Sequence, residues 1–360
     1  NLFFKKLNMK KKSLNAKKII HKKLLRHLLD SRVKKFYKTF EKSVILNNLK
    51  NNKFLVALSG GPDSLALTYL AKCYSILNNS AVKFLHINHK LRNSSSSEAN
   101  ELTNLLKKFS IECKILTWKG RKPKSNIQSI SRKNRYDLIY KYALKNNFKY
   151  ILIAHHIDDL YENFVIRLVR GSGLKGLVSF NKKIVNYNNK LVIMRPLLEM
   201  KKDNLIFLAN KVFKNYFKDP SNKNTTFART RVRNLLMELK KEGFDEKKLK
   251  QTIKNLTDSD NSINYYENQN IGLNVNYLKN ISGYILNESF FKNPNEVVFR
   301  SFTSLLRKVG RKYYAARGKK INQIIHQINL KKLSKATLSG CIIEKVNNSV
   351  IIYRENREKK

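Results

Sequence analysis

The sequence predicts an α/β protein built on a doubly wound parallel sheet, followed by a helical connector and a small α+β domain. Three observations lead to this fold class. Strand-like and helix-like segments alternate from residue 53 to residue 169, a glycine-rich turn directly follows the first strand, and residues 336–355 alternate in the manner of a hairpin. Alternating strands and helices favour a parallel sheet covered by helices on both faces, whereas an apolar hairpin favours an antiparallel one.

The individual elements are predicted from the spacing of their apolar residues. The predicted strands cover residues 53–58, 82–87, 112–117 and 149–154. The predicted helices cover residues 64–77, 96–109, 127–147 and 158–169. Ligands of open parallel sheets bind beyond the carboxyl ends of the strands, where the strand order reverses. We therefore expect the functional residues in the loops that follow these strands.

The length of 360 residues predicts two domains and an extension. We expect a basic N-terminal extension, a catalytic domain, a helical connector and a small C-terminal domain, over residues 1–50, 51–240, 241–295 and 296–360 respectively. The extension is either an RNA-tracking arm or a lysine-rich solvated tail, since its acidic residues are Asp30 and Glu41 alone. In the C-terminal domain we expect two basic helices over 297–330, and a hairpin that turns at Asn347 and Asn348.

The charge of the chain is strongly positive. The formal net charge is +49, from 74 basic and 25 acidic residues. Such an excess favours a polyanionic partner much larger than a nucleotide, and nucleic acid is the simplest choice. The composition bias of an AT-rich genome accounts for part of the lysine, and a membrane surface is the weaker alternative partner.

The cysteines and the hydropathy exclude several classes of protein. The three cysteines lie far apart in the sequence, which excludes a zinc knuckle and a disulfide framework. No apolar run is long enough for a membrane-spanning helix. We therefore expect a soluble, cytoplasmic protein with reduced thiols.

The turn after the first predicted strand, which we call the glycine loop, predicts a nucleotide phosphate site. It consists of Ser59, Gly60, Gly61, Pro62, Asp63 and Ser64. Two glycines let the backbone pass close to a ligand, and the helix that follows offers free N–H groups and a positive dipole to a phosphate. The loop lacks the lysine of the common P-loop. The alternative is an ordinary strand-to-helix connection.

Polar clusters occupy the other positions where a ligand is expected. Residues 86–92 follow the second strand, residues 154–163 follow the fourth, and a glycine-rich stretch at 171–176 follows the fourth helix. Arg132 and Arg135 lie within the third helix. Each cluster also has an ordinary explanation as a helix cap, a partner of the helix dipole or a turn.

The pair His155 and His156, followed by Asp158 and Asp159, matches a transition-metal site by residue type. Adjacent histidines on a helix point in different directions, so we prefer Mg²⁺ held between nucleotide phosphates and a carboxylate.

Taken together, these clusters identify a family. The motifs are SGGPDS, HINHKLR, RKNRY, AHHIDDLYEN, RLVRGSGLKGL, RPLL at 195–198, DPSN at 219–222, and the arginines at 229, 231 and 233. Their order and spacing resemble those of tRNA(Ile)-lysidine synthetases, within the PP-loop superfamily of adenine nucleotide α-hydrolase-like folds. The resemblance covers residues 50–240, with a looser likeness at 296–356. AHHIDD with RGSGLKGL behind it is the most specific part, because the wider superfamily shares the first motif.

The resemblance implies a two-step reaction that uses ATP, Mg²⁺, free L-lysine and tRNA(Ile) with a CAU anticodon. The oxygen at carbon 2 of the wobble cytidine attacks the α phosphorus of ATP and releases pyrophosphate. The ε-amine of lysine then displaces AMP and leaves lysidine, which changes decoding from AUG to AUA. The C-terminal domain would contact the acceptor arm of the tRNA by charge and shape.

The resemblance also implies roles for individual residues. The glycine loop would bind ATP, with Asp63 also holding Mg²⁺, and His155 would steady the α phosphate. Asp159 and Glu162 are three residues apart on one helix face and would receive lysine, one of them accepting a proton. Arg135 would bind a phosphate or the carboxylate of lysine.

Further arginines are assigned by the resemblance to substrates. Arg195, Arg229, Arg231 and Arg233 would contact the tRNA backbone or the activated nucleotide, and Arg132 would contact the tRNA or lysine. Because arginines spaced by two residues diverge around a helix, at least one in the run from 229 to 233 is expected to be structural. Phe164 stands where the family commonly has a small hydroxyl residue, and Pro62 occupies a variable position.

Two other functions remain open at this stage. A tRNA-thiolating PP-loop enzyme shares the adenylation step, but such enzymes usually use cysteine pairs or a cluster. A non-catalytic basic RNA-binding protein with a relic ATP loop is the other alternative, although Asp63, Asp159 and Glu162 are all intact. The sequence does not decide the oligomeric state, for which a homodimer is one option.

Overall fold

A computed structural model of the protein describes residues 16–46, 49, 52–91, 94–120, 127–180, 183–186, 191–217, 228–312 and 316–355. The chain divides into two compact units, unit 1 at Asn1–Asp245 and unit 2 at Glu246–Lys360. No described helix combines the length and the apolar character that crossing a bilayer requires.

Unit 1 contains six strands and nine α-helices among its described residues, with a 3₁₀ helix at His27–Leu29. The strands are β1 Phe54–Leu58, β2 Val82–Asn88, β3 Cys113–Thr117, β4 Tyr150–Leu152, β5 Lys183–Asn186 and β6 Leu191–Met194. The helices are α1 Ala16–Arg26, α2 Ser31–Leu46, α3 Pro62–Asn78, α4 Ser95–Lys107, α5 Ile127–Lys145, α6 Ile157–Val169, α7 Leu174–Leu177, α8 Lys202–Phe213 and α9 Ala228–Lys241.

The strands of unit 1 form one sheet in the order β3-β2-β1-β4-β6-β5. Neighbouring strands from β3 to β6 are parallel, and β5 pairs antiparallel with β6 at the edge. The predicted doubly wound sheet is therefore confirmed, and the first four strands lie within a few residues of the predicted bounds. The sequence analysis missed β5 and β6, because two four-residue strands show too little periodicity to be recognised.

The side chains of the central strand β1 alternate between the two faces of the sheet. Phe54 and Val56 lie in a core formed with helices α1 to α4 and α8, whereas Leu55 lies in a second core formed with α5. A strand buried on both faces is what a parallel sheet covered by helices requires.

The described part of the predicted extension over 1–50 is helical and belongs to the core of unit 1. In α1, in α2 and in the 3₁₀ turn His27–Leu29 between them, the side chains of Leu24, Leu28, Val33 and Phe40 are almost fully buried in the same cluster as β1. The lysine-rich segment thus forms two amphipathic helices whose apolar faces pack inward.

Unit 2 contains five strands and four helices among its described residues. They are α10 Glu246–Asn274, β7 Val275–Leu278, β8 Gly283–Leu286, α11 Glu288–Phe291, α12 Asn295–Val309, α13 Gly318–Asn329, β9 Lys335–Leu338, β10 Cys341–Val346 and β11 Ser349–Arg354. The strands form an antiparallel sheet in the order β7-β8-β11-β10-β9.

The predicted hairpin turns at Asn347 and Asn348, since Val346 pairs with Ser349 across β10 and β11. A second turn at Ser339 and Gly340 makes the first arm two strands, β9 and β10. Residues 241–295 were expected to be helical throughout, but β7 and β8 fall within this range and join the sheet of unit 2. Their apolar residues pack into the core of this unit, an arrangement that four-residue segments do not reveal in the sequence.

Candidate active site

The predicted site residues of unit 1 gather where β1, β4 and β6 end. The glycine loop follows β1, His155 and His156 follow β4, and Arg195 directly follows β6. β1 has β2 on one side and β4 on the other, so the strand order reverses between β1 and β4. This is the position at which open α/β sheets bind their ligands.

The glycine loop is held in a defined shape by its own side chains. Ser64 Oγ donates a hydrogen bond to the carbonyl of Gly61 at 2.8 Å and accepts one from the N–H of Gly60 at 3.0 Å. Gly60 adopts a φ of +91°, and its carbonyl accepts a hydrogen bond from the N–H of Phe217. Ser64 is therefore largely engaged in shaping the loop. The N–H groups at a helix start have no partner within the helix and can bind an anion, although Pro62, the first residue of α3, offers none.

His156 connects the glycine loop to the start of α6. Its Nε2 lies 3.6 Å from Asp63 Oδ2 and 3.5 Å from Asp159 Oδ2, while its Nδ1 lies 3.2 Å from Asp158 Oδ2. The four residues, which we call the carboxylate cluster, are tied together further by the backbone of His156, whose N–H donates to Asp159 Oδ2. Asp158 also accepts a hydrogen bond from the N–H of Lys202.

The carboxylate cluster keeps His156 protonated. Burial by itself would lower the pKa of His156, but hydrogen bonds to Asp158 and Asp63 and the negative charge of Asp159 outweigh it and raise the pKa to about 10. The pKa of Asp158 is lowered to about 2, because the bonds from His156 and Lys202 exceed the opposing effect of burial. A cation thus holds together carboxylates that would otherwise repel each other.

His155, which the sequence singled out, lies outside the carboxylate cluster. Its Nδ1 accepts a hydrogen bond from Arg195 Nε at 2.9 Å, and its ring packs against Phe180 with 5.0 Å between the centroids. Burial, together with the charges of Arg195 and nearby arginines, lowers the pKa of His155 to about 3, although Asp159 acts in the opposite direction. His155 is therefore neutral at physiological pH.

The sequence analysis did not assign a role to His156. The signal that could have found it is its position immediately before α6, where a histidine with an aspartate three residues later forms a capping box. That signal is weak, since histidine is not a common N-cap residue.

Glu162 is paired with the arginines of α9. Arg233 Nε donates to Glu162 Oε1, Arg233 Nη2 donates to Oε2 at 3.2 Å, and Arg229 Nε lies 3.8 Å from Oε2. The Glu162 side chain is 4% exposed. Arg229 and Arg233 are four residues apart and share a face of α9, so both reach the same carboxylate.

A positively charged and aromatic surface adjoins these carboxylates. Arg132 and Arg135 both lie over the ring of Tyr136, at 5.2 and 5.8 Å from its centroid. The pKa of Arg135 is lowered by burial and by the charges of Arg132 and Arg229, while Tyr136 acts against these effects. Several guanidinium groups close enough to perturb one another make a site that a bound anion would stabilise.

Several predicted features contribute little to the geometry of this site, and two others lie outside the described residues. At Gly171 and Gly173 the space where a side chain would stand is open, so packing does not require glycine at either position. Gly171 adopts a φ of +65°, as expected of a helix C-terminal turn. Phe164 is buried in α6. Arg92 and residues 219–222 lie outside the described residues.

The residues near Asp63 offer few ligands for a metal ion. Among the described residues, no group of three or more His, Cys, Asp and Glu side chains has the arrangement of a metal centre. Asp63 Oδ1, however, is buried and has no hydrogen-bond partner in the described part of the chain. A single carboxylate oxygen fits Mg²⁺, which usually binds through one or two carboxylates together with substrate phosphates and water.

Comparisons with known proteins give a consistent result. A family model described as a PP-loop domain matches residues 27–240. The tRNA(Ile)-lysidine synthase of Rickettsia felis is 31% identical over 325 residues, which cover 89% of this chain and 74% of that protein. The tRNA(Ile)-lysidine synthase of Wolbachia pipientis wMel is 32% identical, with 88% and 74% covered. That of Orientia tsutsugamushi is 33% identical, with 85% and 70% covered.

Among solved structures, the U34-tRNA thiolase NcsA from Methanococcus maripaludis aligns with a TM-score of 0.54 and 20% sequence identity. The alignment covers 63% of this chain and 78% of the thiolase. At this identity the likeness concerns the fold alone.

Proposed function

This chain belongs to the tRNA(Ile)-lysidine synthase family, and on that premise we propose that it forms lysidine on tRNA(Ile) in two steps at one site. In the first step, the oxygen at carbon 2 of the wobble cytidine attacks the α phosphorus of ATP, and pyrophosphate leaves. In the second, the ε-amine of lysine attacks carbon 2, and AMP leaves. The tRNA carries a CAU anticodon, and the enzyme acts in the cytoplasm, where ATP, lysine and tRNA are available.

The observation that carries this proposal is the contact of Asp63 and Asp159 with the same imidazole. Asp63 belongs to the glycine loop, and Asp159 belongs to the helix expected to receive lysine. Both carboxylates lie within 4 Å of His156 Nε2. An ATP site and an amine site that adjoin in this way allow the adenylated cytidine to meet lysine without leaving the pocket.

In the adenylation step, the N–H groups at the start of α3 bind the phosphates that become pyrophosphate. Asp63 Oδ1 would hold Mg²⁺, which would neutralise phosphate charge. His155 donates a hydrogen bond to the reacting phosphate. Ser64 holds the glycine loop and His156 holds Asp63 before the reaction, so these groups need little reorganisation as charge develops.

In the second step, Asp159 and Glu162 attract the cationic lysine side chain. Arg233 already contacts both oxygens of Glu162, so this carboxylate is partly neutralised. Asp159 likewise lies beside the protonated His156, so each carboxylate already has a cationic neighbour. The two carboxylates together attract the ammonium group, and one of them accepts a proton as the amine attacks. Arg135 binds the carboxylate of lysine or a phosphate.

The tRNA is bound mainly through its phosphates. The net charge of +49 supplies a strong and sequence-independent attraction. Arg132, Arg229 and Arg233 surround the reacting nucleotide, and the basic helices of unit 2 contact the tRNA away from the anticodon. A contact of that kind could help to distinguish tRNA(Ile) from the methionine tRNA with the same anticodon.

A thiolation reaction has less support. Cys73 is buried in unit 1, and Cys341 is buried in unit 2. Burial raises the pKa of Cys73 and of Cys113 to about 12, which leaves little thiolate at physiological pH. The likeness to the thiolase structure is one of fold, and it carries no argument about the reaction.

The test is the incorporation of radiolabelled lysine into unmodified tRNA(Ile) with a CAU anticodon, with and without ATP. The methionine tRNA with the same anticodon is the control. We expect ATP-dependent labelling of the isoleucine tRNA alone. Release of pyrophosphate without labelling would contradict lysine as the nucleophile, and the absence of both would contradict an adenylating enzyme.

A further inference from the structure

We propose that Arg195 is a positioning residue that fixes the tautomer of His155, so that His155 presents an N–H donor at Nε2 to a phosphate oxygen of the bound nucleotide. The tautomer is a property of the folded protein. The role toward the nucleotide rests on the function proposed above.

The chemistry of the two side chains decides which of them donates the hydrogen bond. Arg195 Nε lies 2.9 Å from His155 Nδ1. Every polar atom of a guanidinium group is a donor, and arginine stays protonated in proteins. His155 Nδ1 must therefore be the acceptor, and a proton on Nδ1 would place two N–H groups against each other. The single proton of the neutral ring is consequently on Nε2.

The partners are held rigidly enough to impose this choice. Arg195 is 4% exposed and directly follows β6, while His155 lies just beyond the neighbouring strand β4. The guanidinium carbon of Arg195 lies 4.5 Å from the centroid of the Phe180 ring, which also packs against His155. Phe180 therefore packs against both Arg195 and His155 and restricts the rotation of their side chains.

The far side of the imidazole is available for a ligand. Within the described residues, the hydrogen bond from Arg195 is the only one found for His155, and its Nε2 has none. The His155 side chain is partly exposed, and the next residue, His156, contacts Asp63 of the glycine loop. An unoccupied donor that adjoins a predicted phosphate site can bind an anionic oxygen.

The surrounding charges preserve the neutral form. Asp159 on α6 favours protonation, but burial and the charges of Arg195, Arg132 on α5 and Arg229 on α9 oppose it. The pKa of Arg195 is lowered chiefly by burial, to about 10, so the guanidinium remains charged at physiological pH. His155 is thus a neutral hydrogen-bond donor, and it is not the general acid or base of the reaction.

The tautomer can be observed directly by ¹⁵N NMR of the full chain labelled in its seven histidines. The His155 signals are assigned by their loss in His155→Gln. We expect a neutral Nε2–H tautomer that does not titrate between about pH 5 and about pH 8. If His155 of the wild-type enzyme has a neutral Nδ1–H tautomer, or if it titrates near about pH 6.5, the proposal is wrong.

Two variants separate the hydrogen bond from the charge. Arg195→Met removes the donor, so we expect a mixture of tautomers and a His155 pKa that rises toward its ordinary value. Arg132→Met removes a nearby positive charge but no contact with Nδ1, and it should leave the tautomer unchanged. Arg195→Lys keeps a donor and should restore the Nε2–H form in part. An unchanged tautomer in Arg195→Met would refute the positioning role.

The role toward the nucleotide is tested separately. A non-hydrolysable ATP analogue should shift the Nε2 signal of His155 in the wild-type enzyme. Arg195→Met should lower kcat for tRNA-dependent pyrophosphate release by about tenfold or more while changing the KM for ATP little. If the tautomer is as expected but the analogue causes no shift, the donor role is wrong. A failure of lysine incorporation alone would contradict only the proposed reaction.

Discussion

The two adjacent glycines of the glycine loop should respond very differently to the same substitution. At Gly60, φ is +91°, and an added Cβ would lie 3.2 Å from Phe217 Cδ2 and 3.4 Å from a methyl carbon of Leu102. At Gly61, φ is −72°, and the nearest atom to an added Cβ is Ser59 Oγ at 3.7 Å. Alanine is therefore strained at the first position and accommodated at the second.

The expected size of the effect follows from these values. A side chain in the left-handed region costs about 1–2 kcal/mol, and a reduction in the entropy of the unfolded chain offsets roughly 0.5 kcal/mol of this. The close contact with Phe217 adds to the cost. We expect Gly60→Ala to lower the free energy of unfolding of unit 1 by about 1–2 kcal/mol, or its melting midpoint by roughly 2–8 °C. Gly61→Ala should change it by less than about 0.5 kcal/mol.

The assay combines denaturation of the full chain with ATP-dependent pyrophosphate release in the presence of tRNA. Gly60→Ala should reduce kcat/KM for ATP by about tenfold or more, because the loop must shift. Gly61→Ala should raise the KM for ATP without loss of stability if a phosphate lies against this backbone. Equal losses of stability in the two variants would refute the conformational argument, and full activity in both would refute the assignment of the loop to ATP.

Three further predictions concern charge. Asp63→Asn should reduce pyrophosphate release by about a hundredfold or more, and a normal rate would contradict the role of Asp63 toward Mg²⁺ and phosphate. Glu162→Gln should raise the lysine concentration needed for half-maximal labelling and spare pyrophosphate release, with Arg233→Gln as the matched control. If both variants lose the same stability and keep a normal lysine dependence, Glu162 has only a structural role. The affinity for tRNA should fall by about tenfold or more between about 50 and about 200 mM salt, and a flat salt dependence would contradict binding through phosphates.

The contrast between His155 and His156 shows how far the sequence could define the site. Both residues follow the same strand, and their positions in the sequence give similar reasons to choose either. In the structure, the first faces Arg195 and is neutral, whereas the second lies among three carboxylates and is charged. Opposite protonation states arise because side chains at consecutive positions after a strand point in different directions.

The sequence by itself determined the local and repetitive features. The apolar periodicity predicted the first four strands and their helices, the glycine loop predicted a strand–turn–helix unit, and the two asparagines predicted the turn at 347 and 348. The order and spacing of the motifs identified the family. These features depend on residues close together in the chain, because local conformational preferences and apolar spacing do not require contacts with distant segments.

Only the tertiary structure decided which of these residues act on one another. It paired Glu162 with Arg233, brought Asp63 to His156, placed Arg195 against His155, and put α1 and α2 into the core of unit 1. These contacts join segments far apart in the chain, and they follow from the packing of helices and strands. Burial and neighbouring charge then set the protonation of each group, so the chemistry of the site is a property of the folded chain.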